Sequence, residues 1–254
     1  MPQDRREFLG LLAGTITTGL LTSTALAAAS ANSRFKAIAF DAFPVFDPRP
    51  KAELTEKLFP GKGADLANAW RSRQFEYQWL RALSQRYADF SQATEDSLVF
   101  AAKMLKLELT EEKRRQLMDA YSNFKTWPDV MPALKSLKDS GLRLAFLSNL
   151  TAAMLNANIK SAGLEGVFEQ VLSTDITRSY KPDPRAYQIG IDALRLKREE
   201  ILFVASTGWD AAGAKSFGYT TFWVNRLNLP AEELGVFADA VGANLADLVS
   251  FLGR

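Results

Sequence analysis

The chain has 254 residues, of which 47% are hydrophobic and 24% charged, a balance near the average for soluble globular proteins. Its formal net charge of +2, without a block of lysine and arginine, argues against a nucleic-acid or anionic-membrane partner. The chain contains neither cysteine nor histidine, which excludes disulfides, thiol nucleophiles, Ser-His catalysis and metals held by histidine or thiolate.

The N-terminal segment has the layout of a cleaved export signal. Paired Arg5 and Arg6 precede a short apolar stretch from Phe8 to Leu21, and small residues then offer a cleavage site. The Arg-Arg-x-Phe-Leu pattern resembles a twin-arginine signal. We predict that residues 1–29 are removed and that the mature chain is periplasmic, without stable membrane insertion. An uncleaved N-terminal anchor is the alternative.

The mature chain begins with a predicted strand at residues 36–41, followed by a long block with almost no strand signal. Apolar periodicity in that block predicts helices at residues 64–87, 91–107 and 110–124. Ser91 or Thr94 is expected to cap the second of these helices, and Thr110 the third. The first helix has apolar residues on two faces, which predicts that it packs on both sides.

From Pro128 onward the pattern changes to alternating helices and strands. Unbroken apolar runs predict strands at residues 142–149, 168–173, 201–206 and 220–225. Helices are predicted between them, at residues 130–140, 151–162 and 180–194 and from about residue 210. Continuous apolar strands that alternate with helices are typical of a parallel sheet covered on both faces.

Polar side chains follow the predicted strands, at the edge where a parallel sheet of this kind binds its ligand. They are Asp41, Ser148, Asn149, Ser206, Thr207 and Asp210, with Lys181 at the start of a helix. Asp41 is a candidate nucleophile that forms an ester, Lys181 would keep it ionised, and Asp210 would orient or activate water. The alternative is a set of ion pairs that only ties loops together.

Arg71 lies on the long predicted helix and shares a face with Phe75, four residues further on. If the helical block folds over the strand ends, the guanidinium faces Asp41 and receives a leaving anion. Phe75 and Trp209 would then supply apolar walls for a halogen. The alternative is an arginine that packs its stem on apolar surface or forms a salt bridge.

These residues resemble the haloacid dehalogenase superfamily, and specifically its (S)-2-haloacid dehalogenase (type II) branch. The resemblance runs from about Phe35 to Val236 and includes AFDAF, AWRSRQFEYQWLRALSQRY, FSQATEDSL, LAFLSN, YKPDPRAY and ILFVAS followed by WDAAGA. It implies an α/β fold with a Rossmann-like parallel sheet core, residues 34–48 and 125–254, and an inserted helical cap, residues 49–124. It leaves open a homodimer formed through the cap.

The same resemblance implies a hydrolase that converts small-molecule (S)-2-haloalkanoic acids to 2-hydroxy acids without metal or other cofactor. Asp41 would displace halide from C2, Lys181 would pair with Asp41, and Asp210 would position the hydrolytic water. The substrate and halide surroundings would comprise Phe43, Arg71, Phe75, Ser148, Asn149, Tyr187, Thr207 and Trp209.

A phosphatase of the same superfamily is one alternative, and Phe43 argues against it. Superfamily phosphatases carry a second Asp two residues after the nucleophile, where this chain has Phe43, so phosphoryl transfer loses its proton donor. In the dehalogenase pattern Val45, Ala205 and Thr207 replace a Thr, a Ser and an Asn of the site. A non-catalytic binding protein on the same scaffold is therefore the other alternative.

Overall fold

A six-stranded parallel sheet organises residues 34–254, the part of the chain that the computed structural model describes. The predicted export signal lies outside these residues. The strands in chain order are β1 (Ala37–Phe40), β2 (Phe46–Asp47), β3 (Lys125–Thr126), β4 (Arg143–Ser148), β5 (Gln170–Ser173), β6 (Ile201–Ala205), β7 (Thr220–Val224) and β8 (Ala240–Gly242). The parallel sheet has the order β5-β4-β1-β6-β7-β8, while β2 and β3 form a separate antiparallel pair.

Helices cover both faces of this sheet. The helices of the described residues are α1 (Arg49–Leu58), α2 (Gly63–Leu83), α3 (Phe90–Met104), α4 (Glu111–Asp119), α5 (Val130–Asp139), α6 (Ala152–Ser161), α7 (Pro184–Leu194), α8 (Gly208–Phe217) and α9 (Leu245–Phe251), and α6 to α9 contact strands of the sheet. The predicted α/β fold class is confirmed. Helices α1 to α4 all lie between β2 and β3, where the inserted cap is expected; its boundaries stay a prediction. No helix within residues 34–254 is long and apolar enough to cross a membrane.

The unbroken apolar strands arise because the sheet is buried on both sides. In β1, Ile38 and Phe40 belong to one hydrophobic cluster, whereas Ala37 and Ala39 belong to the other. Alternate residues of a strand face opposite sides, so both sets must be apolar when helices cover both faces. The small side chains of Ala37 and Ala39 face the cluster that also contains Tyr187 of α7.

The start of α3 differs from its prediction. The helix begins at Phe90, and its N-cap is Asp89, whose carboxylate accepts a hydrogen bond from the Gln92 N–H at 2.8 Å. Neither Ser91 nor Thr94 caps the helix; the Thr94 hydroxyl instead donates to the Phe90 carbonyl. Thr110 does cap α4, as predicted.

We expect Asp89→Ala to lower the free energy of unfolding by about 1 kcal/mol, because it leaves a first-turn N–H of α3 without its acceptor. Ser91→Ala is the matched control and is expected to change stability by less than about 0.5 kcal/mol. Urea unfolding of both variants checks this. A larger loss for Ser91→Ala than for Asp89→Ala would contradict the assignment.

Candidate active site

Three neighbouring strands bring polar side chains to one edge of the sheet. Asp41 directly follows β1, Ser148 ends β4, and Ser206 directly follows β6. Register explains their proximity, because Phe40 pairs with Phe146 of β4 and with Val204 of β6. The Asp41 N–H donates to the Val204 carbonyl at 2.9 Å, which extends the strand pairing to the candidate nucleophile.

Lys181 joins the two carboxylates of the site. Its Nζ lies 2.9 Å from Asp41 Oδ1 and 2.6 Å from Asp210 Oδ2, and it donates a third hydrogen bond to the Leu147 carbonyl at 3.2 Å. These partners use all three donors of an ammonium group. The Lys181 side chain is 1% exposed, so the ion pairs lie almost entirely out of water.

The charge of Lys181 keeps Asp41 ionised. Burial alone would raise the pKa of Asp41, but the charge and hydrogen bond of Lys181 outweigh it, together with hydrogen bonds from Ser206 and the Phe43 N–H, and lower that pKa. Burial would likewise lower the pKa of Lys181, but the charges of Asp210 and Asp41 raise it. An ionised carboxylate beside a permanent ammonium is therefore present at neutral pH.

The pKa of Asp210 is shifted in the opposite direction from that of Asp41. Burial raises the pKa of Asp210 to about 6, against the opposing charge of Lys181 and with a further contribution from the Asp41 carboxylate. The Tyr187 hydroxyl donates to Asp210 Oδ1 at 2.8 Å, and burial raises the pKa of Tyr187 well above its usual value. Asp41 and Asp210 thus titrate apart, which suits one acid for attack and the other for proton transfer.

Two groups besides Lys181 hold the Asp41 carboxylate in place. The Ser206 hydroxyl donates to Oδ2 at 2.9 Å, and the Phe43 N–H donates to the same oxygen at 3.3 Å. The Ser148 hydroxyl lies farther away, at 3.4 Å from Oδ1. Ser206 was recognised in the sequence as a strand-end residue but was not assigned to the site, because strand position alone does not tell which of two adjacent hydroxyls reaches the carboxylate.

Asn149 fixes the backbone that carries Lys181. Its Oδ1 accepts hydrogen bonds from the Lys181 N–H at 3.0 Å and from the Thr174 hydroxyl at 3.2 Å. Its Nδ2 donates to Oε1 of Gln78 on α2 at 3.2 Å. The Trp79 indole N–H donates to the Lys181 carbonyl at 3.1 Å. Gln78 and Trp79 of α2 therefore support the loop that carries Lys181, and neither of them was assigned to the site from the sequence.

A cavity of about 300 Å³ lies over Asp41, between the sheet edge and helices α1 and α2. Arg71 lines it, with its guanidinium carbon 5.3 Å from the centroid of the Phe75 ring. Phe75 in turn packs edge-on against Trp209, with ring centroids 5.3 Å apart. The aromatic wall and the guanidinium predicted from the sequence thus meet in one cavity.

The structure brings together almost all of the predicted site residues. The cavity is lined by Asp41, Phe43, Arg71, Phe75, Ser148, Asn149, Lys181, Thr207, Trp209 and Asp210. Tyr187 does not line it and reaches the site only through Asp210. Val45 and Ala205 are fully buried and lie outside the lining.

The predicted position of Lys181 at the start of a helix is wrong. Lys181 lies on the loop that precedes α7, and the helix begins at Pro184 behind the N-cap Asp183. A residue before proline is disfavoured in the helical region, and Pro182 follows Lys181 directly. The loop leaves the Lys181 ammonium directed at both carboxylates.

The α/β fold carries a buried cluster of Asp41, Lys181 and Asp210, and this arrangement suits a hydrolase that uses a carboxylate nucleophile. A family model described as a haloacid dehalogenase-like hydrolase matches residues 12–218 of the chain. The chain therefore belongs to the haloacid dehalogenase-like hydrolases, and within them to the (S)-2-haloacid dehalogenase family.

Individual dehalogenases are similar to the chain over most of its length. It is 40% identical over 207 residues to haloacetate dehalogenase H-2 of Moraxella sp. (strain B), which covers 81% of this chain and 92% of that protein. It is 42% identical over 205 residues to the (S)-2-haloacid dehalogenase of Pseudomonas sp. (strain YL), covering 80% and 88%. The L-2-haloacid dehalogenase structure from Xanthobacter autotrophicus with chloropropionic acid covalently bound superposes with a TM-score of 0.80 at 34% identity, covering 86% of this chain and 98% of that one.

Proposed function

We propose that this protein hydrolyses (S)-2-haloalkanoic acids to 2-hydroxy acids through an ester on Asp41. The observation that carries the proposal is the buried, ionised Asp41 carboxylate, held by Lys181 at 2.9 Å and Ser206 at 2.9 Å at the floor of the cavity. The similarity of the chain to dehalogenases, one of them with chloropropionic acid covalently bound, supports the same chemistry. The ordered contacts around Asp41 favour this over a non-catalytic binding protein.

In the first step a carboxylate oxygen of Asp41 attacks C2 of the substrate. The new C–O bond forms as the carbon–halogen bond breaks, and halide leaves with the bonding electron pair. Halide needs no proton to leave, which suits a site with Phe43 rather than an acid two residues after Asp41. Arg71 would receive the anion, while Phe75 and Trp209 keep water from the halogen.

In the second step water attacks the carbonyl carbon of the Asp41 ester. Asp210 would take one water proton and later pass it to solvent, the departing alkoxide oxygen would take the other and become the product hydroxyl, and the Asp41 carboxylate is regenerated with the water oxygen in it. Lys181 would stabilise the negative charge that develops on the ester oxygen, because its Nζ already bonds Asp41 Oδ1. One proton is released per turnover.

A single turnover in H₂¹⁸O tests the proposal. Excess enzyme is reacted with (S)-2-chloropropionate, and the peptide that contains Asp41 is then examined by mass spectrometry. We expect heavy oxygen in that peptide and unlabelled oxygen in the first lactate released. Label in the lactate and none in Asp41 would show direct attack by water and overturn the ester route.

We expect the steady-state kcat at saturating substrate to rise with pH through about 6, because each turnover requires ester hydrolysis, Asp210 must be ionised to accept the water proton, and burial raises its pKa to about 6. Tyr187→Phe removes a hydrogen bond that lowers this pKa, so the rise should move to higher pH. Tyr219→Phe is the matched control, since its hydroxyl bonds the Tyr187 carbonyl and not Asp210. An unmoved profile in Tyr187→Phe would contradict the assignment of Asp210.

Two further proposals concern the division into domains and the location of the protein. We propose that residues 49–124 act as a cap that closes over the sheet edge, which the contacts of α2 with Asn149 and Lys181 support. We also propose that residues 1–29 direct export, which the paired Arg5 and Arg6 before an apolar stretch support.

A further inference from the structure

We propose that the cavity contains a second anion-binding subsite at Lys51, whose ammonium the Tyr121 hydroxyl orients, and that it selects 2-haloacids with a second carboxylate at the far end of the chain. The inference rests on the proposed dehalogenation and adds the substrate class. It assigns a role to residues that the cluster of Asp41, Lys181 and Asp210 does not use.

Lys51 is an ammonium group in an aromatic setting. It extends from α1, lines the cavity, and its Nζ lies 4.6 Å from the ring centroids of both Trp70 and Tyr121. Nζ donates a hydrogen bond to Tyr121 Oη at 2.9 Å. An ammonium carries three donors, so this contact leaves two for a ligand.

Three of the cationic side chains that line the cavity, Arg49, Lys51 and Arg226, differ in whether a carboxylate pairs with them. Arg49 binds Asp47 at 2.7 Å and Arg226 binds Asp129 at 2.9 Å, so both arginines have a carboxylate partner. Within residues 34–254, Lys51 forms no ion pair with a carboxylate. A half-buried cation held by ring faces and one hydroxyl lacks a counter-ion, and an anionic ligand would supply it.

Tyr121 is fixed before any ligand arrives. Its Oη donates to Gln74 Oε1 at 3.4 Å, and Gln74 Nε2 donates to the Thr94 hydroxyl at 2.5 Å. Tyr121 is 2% exposed and its ring packs against Trp70 at 5.5 Å. The hydroxyl therefore holds the Lys51 ammonium in a fixed position. A carboxylate that binds Lys51 then loses little free energy in ordering the site.

The subsite connects to the nucleophile by a row of aromatic rings. Phe43, two residues after Asp41, packs on Phe124 with ring centroids 5.6 Å apart, and Phe124 packs on Tyr121 at 5.7 Å. Asp41 and Lys51 line the same cavity, so a substrate with its reacting carbon at Asp41 can extend its chain along this row toward Lys51.

Matched pairs of substrates test the subsite. Chloride release is measured with (S)-2-chlorosuccinate, (S)-2-chloroglutarate and (S)-2-chloroadipate, and with the monocarboxylates of equal length. We expect kcat/KM for at least one diacid to exceed that of its monocarboxylate by about tenfold or more, as a charge-assisted hydrogen bond gives. Lys51→Met, which keeps the length of the apolar stem, should remove this preference, chiefly through KM.

Lys57→Met is the matched control, because Lys57 is an exposed lysine of the same helix and does not line the cavity. It should keep the diacid preference. A wild-type protein that turns over monocarboxylates without preferring any diacid would overturn the subsite, as would a Lys51→Met variant that retains the preference.

Binding of unreactive diacids separates the subsite from the proposed reaction. Calorimetry with succinate, glutarate and adipate should show affinity for at least one of them that falls about tenfold or more in Lys51→Met. If no haloacid releases chloride but this binding is seen, the reaction fails and the subsite stands. If chloride is released and neither binding nor preference depends on Lys51, the subsite fails and the reaction stands.

Discussion

Asp41→Asn is expected to reduce chloride release from (S)-2-chloropropionate by at least about ten-thousandfold, because a neutral amide cannot replace the carboxylate that attacks C2. The fold should survive the change. Lys181 keeps its contact with Asp210 at 2.6 Å, so the variant leaves no buried ammonium without a partner. Initial rates by chloride electrode and thermal unfolding by circular dichroism measure the two effects.

The control for Asp41→Asn is Asp139→Asn, the same chemical change on the exposed end of α5, where Asp139 pairs with Lys135. This variant should match the wild-type rate, since surface pairs contribute little. Chloride release from Asp41→Asn above about one hundredth of the wild-type rate, in protein free of deamidation, would exclude Asp41 as the nucleophile.

The sheet and the strand-end residues could be predicted because their signals are local. A strand buried on both faces reads as an unbroken apolar run, and a parallel sheet places the residues after its strands at one edge. The edge strand β8 was missed, since it has only three residues and its central residue Val241 is 56% exposed. Helix α9 was missed as well, being a short element of seven residues.

The parts of the site that escaped prediction depend on contacts between distant segments. Lys51 and Tyr121 meet although 70 positions separate them, and Trp79 reaches the Lys181 carbonyl across 102. The sequence around Lys51, Tyr121 and Trp79 contains no pattern that identifies the residue each of them contacts. An aromatic residue on a helix is usually assigned to the core, and only the folded chain shows which group its polar atom bonds.

Lys181→Met is expected to lower the free energy of unfolding by about 3–5 kcal/mol near neutral pH, because it leaves two buried carboxylates facing each other without their shared ammonium. The methionine would still pack on the Phe203 ring, which Lys181 Nζ approaches to 5.1 Å, so packing changes little. Chloride release should fall by at least about a thousandfold, since Asp41 loses the charge that keeps it ionised.

The pH dependence identifies the cause of this loss. In wild type the pKa of Asp41 is lowered, so its ion pair stabilises the fold at neutral pH and the contribution fades as acid protonates it. Without Lys181 the folded-state pKa values of Asp41 and Asp210 both rise, and their cost disappears as the pH falls below them. The stability difference between wild type and variant should therefore shrink in acid.

Combining Lys181→Met with Asp41→Asn provides the matched test of that explanation. The double variant removes one of the two facing carboxylates, so it should recover part of the stability at neutral pH while remaining inactive. Urea unfolding across the acid range measures all three proteins. A stability loss in Lys181→Met that neither acid nor the second substitution relieves would mean that the lysine stabilises the fold through packing, and its electrostatic role at Asp41 would have to be abandoned.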